Sequence, residues 1–218
     1  MEEQKYQFEE ISQDFLVDFI ANSISFETMP VSKEIVQKIL SNNVNGIDEK
    51  TVLIVNNYLQ GILHCVDLLK ENKPLTENDL KDIHDKVVNG LSLGGLYRNV
   101  DISIKGSNHT PPSYLKVYNR MKTYFDTINN PENDIYYTIA FAHLQLMKIH
   151  PFLDGNGRVA RIILNYELQK YGLKPITISY SEKEHYFQLL EEFKVNKNIE
   201  PFINYLKEKE KMGLLNNL

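Results

Sequence analysis

Residues 150–161, HPFLDGNGRVAR, combine the side chains that binding and transfer of a phosphate group would need. The imidazole of His150 can accept a proton near neutral pH. Asp154 supplies a carboxylate, and Mg²⁺ in proteins is bound by one or two carboxylates together with phosphate oxygens. Arg158 and Arg161 lie three residues apart, so both project from one side of a helix, and their forked guanidinium groups suit phosphate. The spacing therefore indicates a nucleotide or phosphate site.

The elements on either side of this stretch are predicted to be helices. DGNG alone is typical of a β-hairpin turn, but residues 135–149 form a continuous run that suits a buried helix. Apolar residues over 159–166 recur at spacings of three and four. Gly155 and Gly157 then lie at the start of the second helix, where free N–H groups and a partial positive charge attract anions. On chemistry alone, a phosphate cradle and a plain helix-connecting turn with surface arginines both remain open.

Most of the remaining chain has the apolar spacing of amphipathic helices. Ser32, Asp48 and Thr76 are predicted N-caps of three of them. Residues 100–104 differ, because apolar and polar side chains alternate there between glycine-rich and proline-rich segments, which predicts a strand or hairpin arm. We therefore predict a mainly α fold with one small β-hairpin.

Composition limits the classes of partner. The net charge is −5, with 29 acidic and 24 basic residues, which argues against nucleic acid as the main partner. The single cysteine, Cys65, excludes an internal disulfide. The N-terminus lacks the apolar core of a signal peptide, and no stretch approaches the ~18 apolar residues of a membrane span. We expect a cytoplasmic protein that does not contact a membrane.

The stretch resembles the signature of the Fic family, HxFx(D/E)GNGRxxR, and GLYR at 95–98 and the regions 75–84 and 104–112 resemble flanking elements of that family. The resemblance covers roughly residues 50–205, and all eight fixed positions of the signature match: His150, Phe152, Asp154, Gly155, Asn156, Gly157, Arg158 and Arg161. It implies a Fic-type helical bundle with a small β-hairpin flap. The expected division is an N-terminal helical segment over 1–47, a catalytic core over 48–212 and a tail over 213–218.

What the resemblance implies about activity is transfer of AMP from ATP to a Tyr, Thr or Ser hydroxyl of a target protein, with release of pyrophosphate. His150 would be the general base, Asp154 would bind Mg²⁺, and Phe152 would anchor the loop. Phosphate binding would fall to Gly155, Asn156, Gly157, Arg158 and Arg161. A branch of the family that transfers phosphate carries Lys where this chain has Gly157, so the departure favours AMP transfer.

The resemblance also implies surroundings for the nucleotide and the target. The flap, which aligns a target segment by main-chain pairing, would comprise Ile102, Ser103, Ile104, Lys105, Gly106 and Ser107. Tyr186 would line the adenine pocket. Family members often carry Asn near the base, where this chain has Lys194 and Val195, so base selectivity stays open. The target, which could be the protein itself, and the oligomeric state are not readable; family members often assemble into homo-oligomers.

Residues 21–30, ANSISFETMP, raise the question of inhibition. Ser23 and Glu27 lie four apart and would share one helix face, which is ordinary for the exposed side of an amphipathic helix. In the Fic family, however, an inhibitory helix carries (S/T)xxxE(G/N), and its Glu pairs with the second signature arginine, here Arg161. Thr28 departs from that pattern. The resemblance therefore implies that Glu27 blocks the γ-phosphate site.

Two alternatives to an AMP transferase remain. One is a catalytically silent nucleotide-binding or toxin–antitoxin-type interaction module that keeps the Fic shape. The other is an HD-type metal phosphohydrolase with ligands from His84, Asp85, His64, His143 and Asp154, although scattered histidines are usually core or surface residues.

Overall fold

The computed structural model describes residues 11–27, 30–131 and 134–215, with side chains as far as residue 212. The described residues form nine α-helices and two short 3-10 helices, Tyr114–Lys116 and Tyr180–Glu182. The α-helices are α1 Gln13–Ser25, α2 Lys33–Leu40, α3 Glu49–Lys70, α4 Glu77–Val88, α5 Val117–Asn129, α6 Ile135–Ile149, α7 Asn156–Lys170, α8 Lys183–Asn196 and α9 Glu200–Leu215. The predicted mainly α class is confirmed.

Helix α7 lies at the centre of the bundle. All 15 of its residues are buried, because α1, α3, α4 and α6 pack around it. Helices α5, α8 and α9 pack on α6. Gly61 on α3 allows the closest approach, since a Cβ there would lie 2.8 Å from Val87 and 3.1 Å from Ile162. The loop between α6 and α7 therefore leads directly into a helix whose residues are all buried.

Side-chain caps start three helices where the sequence predicts them. The Ser32 hydroxyl accepts from Ile35 N at 3.4 Å, and Asp48 Oδ1 accepts from Thr51 N at 2.9 Å. At α4, Thr76 and Asp79 form a reciprocal capping box. These polar side chains satisfy N–H groups that a helix start leaves free, so these three predictions are confirmed.

The predicted β-hairpin flap over Ile102–Ser107 is wrong for the described residues. The backbone over 101–104 lies outside regular secondary structure and pairs with no strand there. Ser107 N donates to Ile104 O at 3.1 Å and closes a tight turn at Gly106, whose φ is +81°. A hairpin needs a second ladder-forming strand, but the chain returns through Pro111 and Pro112, which carry no N–H to donate.

Helix α1 ends two residues earlier than the repeat over 8–27 predicts. Ser25 Oγ donates to Ala21 O at 2.7 Å and accepts from Val31 N at 3.0 Å, so its side chain fixes the turn that leaves the helix. Glu27 lies just beyond the helix, with its N–H bonded to Ile24 O at 3.1 Å. Thr28 and Met29 lie outside the described residues.

The expectation that no segment resembles a membrane span is wrong for helix α3. Glu49–Lys70 is long and apolar enough to pass that test by length and composition. More than half of its most apolar window is buried, against α4 and α7 among others, as in the core helix of a helical domain.

The division into a segment over 1–47 and a core over 48–212 stays a prediction. Helix α3 begins near that boundary, and α1 packs on both α3 and α7.

Candidate active site

The loop between α6 and α7 is shaped by two left-handed residues. His150 has φ +52° and ψ +61° and ends α6, with its N–H bonded to Leu146 O at 2.9 Å. Gly155 has φ +74° and caps the start of α7. A left-handed non-glycine residue costs of order 1–3 kcal/mol and persists only when its surroundings hold it. The strained residue of this loop is therefore the histidine that the sequence singles out as the base.

The Asn156 side chain closes the loop from within. Its Oδ1 accepts from Phe152 N and its Nδ2 donates to Phe152 O, both at 2.9 Å. The Phe152 ring is buried and stacks on the His84 ring, with centroids 3.7 Å apart and planes within 3°. Because its side chain is used in this way, Asn156 can offer a phosphate only its backbone N–H.

Arg98 holds the backbone at His150 and Pro151 through hydrogen bonds to their carbonyl oxygens. Its Nε donates to His150 O at 2.9 Å, and its own N–H donates to Pro151 O at 2.8 Å. Its other nitrogens donate to Val100 O and Pro112 O. The guanidinium is buried, so Arg98 connects the segment over 98–112 to the strained residue without touching its imidazole.

The His150 imidazole is held in its neutral form. Burial, together with like-charge repulsion from the nearby Lys194 ammonium, lowers its pKa to about 4. Lys194 is itself buried, which lowers the pKa of its ammonium, and it lies 3.7 Å from Glu191 Oε1. At neutral pH the His150 ring is thus free to accept a proton.

Arg158 and Arg161 are not surface residues. They are 5% and 2% exposed, so the alternative of a plain turn with surface arginines is wrong. Arg158 Nη2 lies 3.2 Å from Asp154 Oδ2. The Arg161 guanidinium stacks over the Phe26 ring at 4.9 Å. Burial alone would lower the pKa of Arg161, but neighbouring groups, Glu27 foremost, raise it overall.

The Glu27 carboxylate bridges both arginines. Its Oε1 accepts from Arg161 Nη2 and its Oε2 accepts from Arg158 Nε, each at 2.9 Å. The sequence predicts Arg161 alone as its partner. Ser23 completes the contact, since Arg161 donates to its Oγ at 2.6 Å and to its backbone O at 2.7 Å. Ser23 is 1% exposed, which excludes the view that it is part of an exposed polar face.

Gly157 leaves the space that the carboxylate occupies. A Cβ on Gly157 would lie 2.3 Å from Glu27 Oε1 and 3.1 Å from Arg161 Nη1. The start of α7, the two guanidinium groups and the missing side chain thus form a cradle that already holds an anion. A phosphate group would need the same space and the same donors.

Asp154 is the one candidate metal ligand in the loop. Its side chain is 56% exposed, and its Oδ1 accepts from Gly155 N at 2.7 Å. No group of three or more His, Cys, Asp or Glu within the described ranges could enclose a metal ion. A single accessible carboxylate beside a phosphate cradle fits Mg²⁺ held jointly by protein and polyphosphate, because Mg²⁺ keeps few protein ligands.

Two of the three histidines of the HD-type alternative, His84 and His143, already use both ring nitrogens in hydrogen bonds. Gly95 N donates to His84 Nδ1 at 3.0 Å, so His84 Nε2 carries the proton and donates to Asp154 O at 3.0 Å. His143 Nδ1 donates to Ala160 O and its Nε2 accepts from the Tyr186 hydroxyl, both at 2.9 Å. A metal would have to break these bonds, so the geometry disfavours a phosphohydrolase.

The predicted outer residues lie around this centre. The Tyr186 ring is fully buried and packs edge-on against Phe26, with centroids 5.3 Å apart; its contact with adenine stays a prediction. At the end of the predicted flap, the Ser107 hydroxyl donates to Glu191 Oε1, and Asn108 N donates to Oε2 at 2.8 Å. The segment over 102–107 is therefore anchored to α8 by a carboxylate, and its role in docking a target also stays a prediction.

Sequence reasoning missed several supporting residues. Arg98, Phe26, Tyr58 and Glu191 were not recognised as part of the site, although GLYR marks the region of Arg98. Tyr58 is the hardest of these to predict, because it lies in the middle of an apolar helix. Its hydroxyl lies 2.6 Å from Ser23 Oγ and donates to Arg158 O at 3.3 Å. A buried tyrosine in an amphipathic pattern is ordinary core, so no local signal distinguishes it.

Part of this chain is similar in sequence to a known protein family. Residues 74–168 match the model of the Fic/DOC family. A protein adenylyltransferase Fic from Nematostella vectensis is 29% identical over 170 residues, which is 76% of this chain and 37% of that protein. The chain thus spans about a third of the length of the curated relatives it matches.

Two solved structures share the fold. A Fic domain-containing signaling protein from Bacteroides thetaiotaomicron superposes with a TM-score of 0.83 at 22% identity, over 90% of this chain and 83% of the other. Fic-1 from C. elegans, residues 134–508, gives 0.84 at 19% identity, over 98% and 68%. The segment over 74–168, which contains the whole α6–α7 loop, is thus the part of this chain that matches the Fic/DOC family.

Proposed function

We propose that this protein transfers AMP from ATP to a hydroxyl side chain of a target protein, and that Glu27 inhibits the reaction in the folded state. The observation that carries the proposal is the Glu27 carboxylate seated on Arg158 and Arg161 at the start of α7. The names of the curated relatives, protein adenylyltransferases, support ATP as co-substrate and a protein as acceptor.

The chemistry assigned to His150 is that of a general base. Its neutral imidazole takes the proton of the target hydroxyl as the hydroxyl oxygen attacks the α-phosphorus of ATP. A bond forms between that oxygen and phosphorus, the bond from phosphorus to the bridging oxygen breaks, and pyrophosphate leaves. The depressed pKa of His150 keeps the base active across neutral pH.

The start of α7 holds the triphosphate in this reaction. The N–H groups of Asn156 and Gly157 would donate to phosphate oxygens, joined by that of Gly155 once it leaves Asp154 Oδ1. Arg158 would balance the charge that develops on pyrophosphate. Asp154 would hold Mg²⁺, whose positive charge neutralises phosphate oxygens when it is bound. Arg161 binds the γ-phosphate once Glu27 has left.

Inhibition follows from competition for the same donors. A carboxylate that accepts a charge-assisted hydrogen bond from each of two buried arginines denies both to a phosphate. Relief of inhibition does not require a change of fold, because Glu27 lies beyond the end of α1 and its side chain can turn away from the arginines.

Label transfer tests the proposal. Wild type, Glu27→Gly and His150→Ala are incubated with Mg²⁺ and ATP labelled at the α- or the γ-phosphate, with and without cell lysate. We expect protein labelling from the α-label only, stronger in Glu27→Gly and lower by about 10²-fold or more in His150→Ala, the usual contribution of a general base. Circular dichroism checks that each variant is folded.

Each other outcome has a defined meaning. Labelling from γ-labelled ATP would replace AMP transfer by phosphate transfer. Nucleotide binding without transfer in a folded Glu27→Gly protein would favour the catalytically silent module. Equal labelling by wild type and Glu27→Gly would remove the inhibitory role of Glu27 and leave the activity standing.

A further inference from the structure

A basic pocket of about 410 Å³ opens beside the residue that precedes His150. Its walls combine the segment after the Gly106 turn with parts of α5 and α6 and the residue that ends α8. The lining residues used below are His109, Pro112, Arg120, Lys148, Ile149 and Lys197. The pocket is separate from the anion cradle of Arg158 and Arg161, neither of which lines it.

The charge of this pocket is one-sided. Arg120 and Lys197 are exposed at its rim, and Lys148 is half-buried. Among the described residues that line the pocket, none is acidic. Burial and the like charges of Lys197 and Arg120 lower the pKa of the Lys148 ammonium. Three cations that repel one another on a protein of net charge −5 form a local positive site, which an anion would stabilise.

The pocket is connected to the catalytic backbone. Lys148 Nζ donates to Phe193 O at 3.4 Å, and His109 Nε2 lies 3.1 Å from Lys148 O, so the floor is held in place. Arg98 donates to Pro112 O and Ile149 O of the pocket wall and, through Nε, to His150 O at 2.9 Å. The pocket wall and the backbone of His150 are thus held by the same buried guanidinium.

Resting on the proposed transfer reaction, we propose that the basic pocket binds an acidic side chain of the target protein close in sequence to the modified hydroxyl. An extended segment rises about 3.3 Å per residue, so an Asp or Glu about one to three positions from the hydroxyl could reach the pocket. A polypeptide carboxylate suits the site better than a small free anion, because two of the three cations stand at an open rim. The contact would select acidic targets and raise their rate of encounter.

The test uses three fluorescein-labelled peptides, each with one Ser, one Thr and one Tyr in the same Gly/Ala frame. The peptides differ only in their flanking residues, which are four Glu, four Gln or four Lys. Binding to full-length Glu27→Gly protein is measured by fluorescence anisotropy, and transfer from α-labelled ATP is measured in the same samples. We expect the Glu peptide to bind most tightly. Adding Arg120→Glu and Lys197→Glu should weaken that binding roughly 5- to 20-fold, as two surface ion pairs allow, and added salt should weaken it too.

The matched control adds Lys122→Glu and Lys211→Glu, which make the same change of net charge at exposed residues outside the pocket. Equal binding of all three peptides, or an equal loss in the control, would overturn the inference. Binding that follows the pocket, with no transfer to any protein in the lysate assay, would overturn AMP transfer and leave the pocket as a binding site for acidic segments. The two proposals therefore fail separately.

Discussion

Two regions meet at the start of α7, and they are held in place by different interactions. The loop over 150–155 is fixed from within and behind, by the Asn156 side chain, the Phe152–His84 stack and Arg98. The end of α1 reaches the same place across 131 to 138 residues of sequence, through Ser23 and Glu27. The loop depends on buried hydrogen bonds to its own backbone groups, whereas the α1 contact depends on one carboxylate shared by two arginines.

This difference indicates which part of the site can change state. Removing a partner from a buried hydrogen-bond network leaves polar groups without water or protein partners, which is costly. The Glu27 side chain is 24% exposed and its two ion pairs can be exchanged for a ligand phosphate of like charge. We therefore expect lesions in the loop to reduce stability and activity together, and lesions at Glu27 to change occupancy of the cradle with little effect on the fold.

The largest effect is expected from Asn156→Ala, which opens the loop. It leaves the N–H and C=O of Phe152 unpaired and should lower the free energy of unfolding by about 2–4 kcal/mol and abolish transfer. Asn165→Ala is the matched control, because Asn165 makes the same pair of bonds to Ile176, at 2.8 and 3.0 Å, farther along α7. It should cost similar stability in urea unfolding and keep transfer; loss of transfer in both variants would contradict a specific role for the loop.

An intermediate effect is expected from Glu27→Gln, which keeps the shape of the side chain and removes its charge. Two charge-assisted hydrogen bonds become neutral ones, so Mg²⁺–ATP should bind about 10-fold more tightly by calorimetry. Glu34→Gln, an exposed acid on α2, is the control for net charge. Unchanged affinity in Glu27→Gln would mean that the carboxylate does not compete with phosphate.

For a single buried histidine the expected effect is smaller, a change in how steeply stability depends on pH, and it tests the neutral, buried character of the site. Burial lowers the pKa of His84 and His150 to about 4 and that of His143 to about 3 in the folded protein, below the ordinary value of 6.5. Between pH 6.5 and 4 the unfolded chain therefore binds more protons, so the free energy of unfolding should fall with falling pH, by up to about 1.4 kcal/mol per pH unit for each histidine.

Denaturant unfolding at pH 7.0, 6.0 and 5.0 measures this slope. His143→Gln should flatten it, because the amide can keep both hydrogen bonds and does not titrate in this range. His185→Gln, at an exposed position, should leave the slope unchanged. A slope equal in all three proteins would show that buried imidazoles do not govern the acid sensitivity.

Much of the fold and the centre of the site follow from local pattern. The caps at Ser32, Asp48 and Thr76 and the helices on either side of the loop depend on neighbours within four residues, so the sequence contains the whole interaction. The flap prediction failed because a strand is defined by a partner that alternation alone does not supply. The ordinary interpretation of Ser23, as part of an exposed polar face, failed for a similar reason, since burial depends on what packs against the residue.

The sequence by itself determined which side chains stand at the candidate site: a histidine, a carboxylate and two arginines around a glycine-containing helix start, all within twelve residues. Only the tertiary structure decided that both arginines are buried, that Glu27 bridges them, and that Arg98 supports the strained His150. The physical reason is distance along the chain. Helix starts and turns are short-range, whereas desolvation and ion pairing between α1 and α7 exist only once the bundle has packed.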